Sequence, residues 1–301
     1  MREVEVLPRL RGLREATGPD VRTLRIGGWR FSLEGLEAHL AARLERRWGG
    51  FLSPAPCASP RASIRIVRGP KEGWLDPPAR GERYRVDGRR EGGRIVIVSY
   101  NFALWQEEEA GAWRCALAAQ EQEPAERVLE NAVRCLVSRV AVEEGGFALH
   151  AAGVVDEGRA YLFAGPSRAG KTTAVALSAP RTSLGDDFAI VLESPGGYSA
   201  PTVPFDNAEA APDRPEFEAF PLSGIWRLFH AETARVERLD SARAAASLMA
   251  CVAMPWTHPD LAEQLLRQVE RFVGRSRFEH LHFRRAPDFW PLLKSGAPRS
   301  T

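Results

Sequence analysis

The sequence predicts an α/β protein in two parts, an N-terminal α+β domain over residues 1–145 and a second domain over residues 146–301. Three observations carry this expectation. The first half holds short alternating apolar runs broken by turn residues, as half-buried strands require. A long helix-period segment follows at residues 123–146. After Gly146 the apolar runs become near-continuous, as in strands covered on both faces, and a glycine-rich turn joins one of them to a helix. A chain of 301 residues accommodates two such domains.

The elements follow in order. The first 20 residues show little pattern beyond Val4 and Val6. Residues 21–33 read as a hairpin turning at Gly27-Gly28, with Val21, Leu24, Ile26, Trp29 and Phe31 as its apolar members. Ser32 is the expected N-cap of a helix in which Leu33, Leu36, Leu40 and Leu44 share a face, ending at Gly49-Gly50. Residues 53–60 form a loop by composition. The runs Ile64–Val67, Tyr84–Val86, Ile95–Val98, Phe102–Trp105 and Trp113–Leu117 suggest a meandering antiparallel sheet, with turns at Gly69-Pro70, Pro77-Pro78, Asp87-Gly88 and Gly92-Gly93. Pro124 suits the first turn of the next helix, whose face is Val128, Leu129, Ala132, Val133, Leu136 and Val140. In the second half FALHAAGVV, AYLFAG, FAIVLES, GIWRLFHA and FEHLHF read as strands. SARAAASLMACVA and PDLAEQLLRQVERFVG read as helices, and DFWPLLK as a final turn.

Composition narrows the function classes. With 44% apolar and 27% charged residues the chain is neither disordered nor fibrous. A net charge of +2 offers no electrostatic case for nucleic acid or a membrane surface. The four cysteines, Cys57, Cys115, Cys135 and Cys251, form no CxxC pair, which suits reduced thiols better than disulfides or zinc. The charged N-terminus lacks a signal-like apolar core, and no apolar stretch approaches membrane-spanning length. The expectation is a cytoplasmic protein without nucleic-acid or membrane partners. Its oligomeric state is open, a homo-oligomer included.

The strongest chemical signal is Gly165-Pro166-Ser167-Arg168-Ala169-Gly170-Lys171-Thr172-Thr173, which fits GxxxxGK[ST] between an apolar strand and a helix expected at Thr172–Leu177. The two glycines allow positive φ, so that backbone N–H groups turn inward and, with the helix start, cradle phosphate. Lys171 would reach the β and γ phosphates and Thr172 would offer a hydroxyl to Mg²⁺; Thr173 supports the helix start. Only three of the 41 Lys and Arg residues are lysine, and one stands here, where a compact point charge outperforms a guanidinium fork. Arg168 could touch phosphate or substrate, or point to solvent. The second signal is Asp186-Asp187 before an apolar run. One acid can serve a metal and the other can take a hydroxyl proton, against the plain alternative of a solvated turn. His150 precedes the loop strand, as a sheet histidine or a group beside the phosphoryl site. His280 and His282 share a strand face but have no evident third ligand, so they read as structural. Arg284 and Arg285 read as a solvated charge pair.

The ordered set LHAAGVV, GRAYLFAGPSRAGKTTAVAL, SLGDDFAIV, PLSGIWRLFHA and LDSARAAASLMACV, over roughly residues 146–255, resembles the HPr kinase/phosphorylase-related kinases. Their P-loop core is also similar to that of phosphoenolpyruvate carboxykinase. The resemblance implies a P-loop kinase core of the HPr kinase/PEP carboxykinase type behind the N-terminal α+β domain. It implies ATP binding by Gly165 through Thr173, Mg²⁺ at Thr172 and the Asp186/Asp187 pair, and catalytic roles for Lys171, His150 and the two aspartates. The acceptor in that family is a serine hydroxyl on a small protein, and related members modify peptide natural products. Here Arg168 stands where glycine is usual, and the glycine-rich signature downstream of the aspartates has no counterpart, so another substrate is expected. The leading expectation is a kinase of Ser/Thr hydroxyls on a protein or peptide recognised by the N-terminal domain. The alternatives are a small-molecule hydroxyl kinase and a nucleotide-binding regulatory protein without phosphotransfer. Carboxykinase chemistry would need a further metal and carboxylate-binding set.

Overall fold

The computed structural model describes residues 7–10, 13, 15–70, 74–78, 85–118, 123–206, 218–254 and 257–295. The expected pattern at Val4 and Val6, and Tyr84 of the second run, lie outside them. The chain divides into two compact units, Met1–Val137 with Met254–Asp260, and Ser138–Ala253 with Leu261–Thr301. No helix among the described residues is long and apolar enough to cross a membrane.

The first unit begins with one helical turn, α1 (Leu7–Leu10), and is built on an eight-stranded sheet. Its strands are β1 (Asp20–Ile26), β2 (Trp29–Leu36), β3 (Leu52–Ser53), β4 (Ala62–Arg68), β5 (Val86–Glu91), β6 (Arg94–Ser99), β7 (Phe102–Gln106) and β8 (Ala112–Leu117), in the order β3-β1-β2-β4-β8-β7-β6-β5. The hairpin turns at Gly27-Gly28, with Ile26 paired to Trp29.

Two expectations need correction. Ser32 is not an N-cap: β2 continues to Leu36, and the helix α2 (Ala38–Trp48) starts after Glu37. Residues 31–34 are held between β1 and a parallel partner, β4, which outweighs the helical spacing of the leucines. Gly35, at φ +79°, also lies outside helical space. Nor is the sheet wholly antiparallel. The meander β5-β6-β7-β8 is, but β4 pairs in parallel with both β2 and β8. Asp87-Gly88 lies within β5 rather than at a turn.

The helix α3 (Ala125–Glu143) runs from the first unit into the second. Its buried residues exceed the single expected stripe, since Cys135, Val137 and Ala141 are buried as well. A helix covered on several sides has no solvent face to keep polar.

The second unit holds a nine-stranded sheet. Its strands are β9 (Phe147–Leu149), β10 (Ala151–Asp156), β11 (Arg159–Ala164), β12 (Thr182–Gly185), β13 (Ala189–Ser194), β14 (Gly197–Pro201), β15 (Ala219–His230), β16 (Arg235–Arg238) and β17 (Phe278–Phe283). They run in the order β12-β10-β11-β15-β14-β13-β9, with β17 also pairing β15 and β16. β11, β15 and β17 are mutually parallel neighbours through β15. The helices are α4 (Lys171–Ala176), α5 (Ser241–Met249), α6 (Ala262–Arg275) and α7 (Trp290–Lys294). Strand alternation sorts the core into two faces. Ala160, Leu162 and Ala164 of β11 pack with Leu248 of α5 and Phe272 of α6. Tyr161 and Phe163 pack with Ala174 of α4 and Trp290 of α7. Strands β12, β14 and β16 lie in segments whose sequence lacked long apolar runs.

Asp156, at the end of β10, forms ion pairs of 2.7 Å with both Arg181 and Lys294, the latter on α7. Burial pushes its carboxyl pKa up, but the Lys294 and Arg181 cations outweigh burial and hold it below the usual carboxylate value. The stabilisation is therefore complete above the unfolded-state pKa and is lost as pH falls through it toward the folded value. Asp156→Asn is expected to cost about 1–3 kcal/mol at pH 7, as for hydrogen-bonded charges. In urea melts the gap from the native chain should narrow as pH falls below about 4 and close as the folded Asp156 carboxyl takes up its proton. A gap unchanged from pH 7 to pH 3 would refute the ion-pair account.

Candidate functional site

The glycine loop of residues 165–170 leaves β11 and enters α4. Its curl depends on its two glycines. Gly165 has φ +156° and Gly170 φ +100°. A Cβ on Gly165 would stand 2.7 Å from Ala169 Cβ, and one on Gly170 would stand 2.9 Å from the Phe283 ring. Larger residues would push the loop off its neighbours. The Gly165 N–H donates to the His150 carbonyl at 3.0 Å, and Ala169 N–H to Pro166 O at 3.2 Å. The helix begins at Lys171, one residue before the expected Thr172, and is only six residues long. The positive charge here comes chiefly from side chains rather than from a long helix dipole.

Lys171 is buried and its ammonium is fully engaged. It donates to the carbonyls of Gly165 at 3.0 Å and Pro166 at 3.1 Å, and lies 2.9 Å from Asp187 Oδ1. Thr172 Oγ1 lies 3.2 Å from Asp186 Oδ1 and 3.1 Å from Oδ2. The adjacent aspartates thus meet the first two residues of α4 separately, Asp187 with the amine and Asp186 with the hydroxyl. Asp187 achieves this at φ +70°, in left-handed space that non-glycine residues enter at some cost. Arg168, at φ +68°, is a second such residue in the same place.

The loop forms one wall of a cleft of about 480 Å³ lined by Ser167, Arg168, Lys171, Thr172, Thr173 and Asp187 with His230, Phe283, Arg284 and Arg285. Arg284 and Arg285 are both exposed, as a solvated pair would be, and also line the cleft, and Arg284 bonds Asp288 at 2.9 Å. His230 and Phe283 escaped the sequence reading. The ring nitrogen Nε2 of His230 donates to the Arg168 carbonyl at 3.1 Å, and the ring stacks near Phe283 with centroids 6.2 Å apart. Both residues end strands in the parallel β11-β15-β17 set, whose C-terminal ends converge beside the loop. The signal was available only once those neighbours were known.

His150 joins β9 to β10 and touches the loop through its backbone, with its N–H donating to the Cys251 carbonyl at 2.8 Å. It is not among the residues lining the cleft. Burial pushes the Cys251 thiol up to about 11, so this nearby cysteine stays protonated at neutral pH and is no nucleophile.

A wider cleft, about 680 Å³, lies in the first unit among Glu34, Arg65, Arg94, Glu107, Glu108 and Arg114. Those charges neutralise one another in the pairs Arg65–Glu34, Arg94–Glu108 and Arg114–Glu107. Size alone therefore does not mark it as the reactive site. The loop cleft brings together a held amine, the Thr172 hydroxyl, the Asp187 carboxylate and three arginines, while Asp186, which meets Thr172, is not among its lining residues.

No curated protein matches the chain. The family model of the SynChlorMet cassette protein ScmC matches residues 114–273, a span that contains the glycine loop and both aspartates. That span covers more than half of the 301 residues, and the chain belongs to the ScmC family.

Proposed function

We propose that the protein is an ATP- and Mg²⁺-dependent kinase that transfers the γ-phosphoryl group to a Ser or Thr hydroxyl of a protein or peptide. On this reading the second unit is a P-loop kinase core of the HPr kinase/PEP carboxykinase type. The observation that supports it most is the paired contact of Lys171 with Asp187 and Thr172 with Asp186 at the mouth of a curled glycine loop. A buried amine held by two carbonyls and a carboxylate is a cation waiting for a stronger anion.

The contacts also suggest how the aspartates divide their work. Thr172 and Asp186 offer adjacent hard oxygens, the donor type that Mg²⁺ takes while keeping water and phosphate oxygens as its remaining ligands. When bound there, the ion would neutralise charge on the triphosphate. Asp187 is the acceptor's base. Once the triphosphate draws Lys171 away, its carboxylate is free to take the hydroxyl proton. The acceptor oxygen bonds to the γ-phosphorus as the bond from that phosphorus to the bridging oxygen breaks, and ADP leaves. Arg168, Arg284 and Arg285 add positive charge along the path, and His230 holds the loop through the Arg168 carbonyl. Positioning and charge neutralisation supply most of the acceleration.

The four cysteines are free thiols, in keeping with a reducing cytoplasm. The description "cassette protein" suits an acceptor supplied by a companion of the same cassette. The test is transfer of labelled γ-phosphate from ATP to such companion proteins or peptides. Transfer that needs Mg²⁺ and is lost in Asp187→Asn supports the kinase. Tight nucleotide binding without transfer to any acceptor identifies a nucleotide-binding regulator instead.

A further inference from the structure

The face of β15 and β17 opposite the glycine loop carries a second cluster. His280 and His282 are two residues apart on β17 and share that face. The antiparallel strand β16 places Glu237 directly across from His280. Its Oε2 lies 3.6 Å from His280 Nδ1 and 3.1 Å from His282 Nε2, so both rings aim a nitrogen at one carboxylate oxygen. The sequence offered two histidines without a third ligand, because the third lies some forty residues earlier and only strand register brings it over.

We propose that Glu237, His280 and His282 form a three-ligand site for a divalent transition-metal ion of the Zn²⁺ type, with the fourth coordination position open. Ligands at about 2.0–2.2 Å in a tetrahedral array lie about 3.3–3.6 Å from one another. The 3.1 and 3.6 Å separations already found are close to that edge length, and all three ligand atoms lie within 4.8 Å of one another. Two histidines and a carboxylate with one open position is a common zinc donor set.

The surroundings hold the ligands in place. Phe229 of β15 lies against both rings, with centroids 4.6 Å from His280 and 5.3 Å from His282. His280 Nε2 lies 2.7 Å from Ser247 Oγ, which also accepts from Arg227 at 2.9 Å. Glu237 Oε1 accepts from Arg243 at 3.1 Å. Outer partners of this kind orient ligands and raise metal affinity.

One contact must give way, and it makes the proposal sharper. Arg235 lies 3.1 Å from His282 Nδ1, and arginine can only donate. Without metal, Nδ1 therefore accepts and Nε2 carries the proton that faces Glu237. Metal on Nε2 moves that proton to Nδ1, where it meets the guanidinium, so exposed Arg235 must swing into solvent. Arg235→Gln is expected to tighten metal binding several-fold, an effect that a purely structural hydrogen-bond network does not produce.

The experiment loads the full chain with Zn²⁺ or Co²⁺, measures metal content after dialysis, and records the cobalt absorption spectrum. One ion per chain and an intense tetrahedral cobalt band are expected. Both should be lost in the His280→Ala/His282→Ala double variant and retained in Lys171→Ala and Thr172→Ala. Ser247→Ala should weaken binding about 10- to 100-fold, as outer-shell losses do. If the double variant fails to fold, Glu237→Gln provides the same reading, with folding checked by circular dichroism. Metal content far below one ion per chain overturns the proposal. So does binding that persists when these ligands are replaced, or affinity unchanged in Arg235→Gln.

Discussion

Replacing Lys171 with alanine is expected to weaken ATP binding about 30- to 100-fold, the loss of a charge-assisted contact worth roughly 2–3 kcal/mol. The variant should transfer no measurable phosphate. Asp187→Asn should separate the two effects. In the structure Asp187 competes for the Lys171 amine at 2.9 Å, so removing its charge frees the amine for phosphate. ATP affinity in Asp187→Asn should therefore equal or exceed that of the native chain. Transfer should nevertheless fall by about 100-fold or more, the usual contribution of a general base. Isothermal titration with a non-hydrolysable ATP analogue, read beside the transfer assay, checks both signs. Weakened binding in Asp187→Asn would mean that this aspartate, not Asp186, is the metal's partner. Unchanged binding in Lys171→Ala would remove the phosphate-cradle reading of the loop altogether.

The parts of this site legible in the sequence are those with local causes. Gly165 and Gly170 could be named because left-handed backbone strongly favours glycine, and both do have positive φ. Asp186-Asp187 stood out as adjacent acids at a strand edge. Helix α3 was clear because its apolar spacing runs for five turns. What escaped depends on register between distant segments. Ser32 looked like a cap because Leu33, Leu36, Leu40 and Leu44 have helical spacing, yet β1 and β4 claim Phe31–Glu34 from either side. No local pattern distinguishes parallel β4-β8 from an antiparallel neighbour. His230 and Phe283 are ordinary strand ends until the parallel order β11-β15-β17 brings them to the loop. Glu237 is an unremarkable acid until β16 pairs with β17. Strand β16 was itself invisible, since its residues, Arg235-Val236-Glu237-Arg238, have one apolar member among three charges.

The largest stability effect is expected at Glu130, in the first unit and away from the reactive residues. Glu130 is only 2% exposed and Arg47 only 5%. Arg47 meets the carboxylate with both arms of its fork, Nε to Oε2 at 2.5 Å and Nη2 to Oε1 at 3.2 Å. Trp48 Nε1 donates to Oε2 at 3.2 Å, and Arg134 lies 2.7 Å from Oε1. One carboxylate thus serves two buried guanidiniums and an indole, tying α2 to α3. Burying such a pair is not in itself strongly stabilising, because desolvation offsets much of the attraction. Removing one partner is different, since the remaining buried charges lose their closest counter-ion. Glu130→Ala takes from both Arg47 and Arg134 the carboxylate they meet, and should cost about 3–5 kcal/mol. Against a total stability of about 5–15 kcal/mol this is a large fraction, and it should lower the melting temperature by roughly 10 °C. Glu130→Gln keeps an acceptor and the side-chain volume but loses the charge, so its cost should be smaller. Arg47→Met combined with Glu130→Met should recover part of the loss, because the double change removes the buried Arg47 charge along with Glu130. Urea denaturation of the three variants checks the order. A double variant no more stable than Glu130→Ala would show that the loss of the Arg47–Glu130 pair does not set the cost.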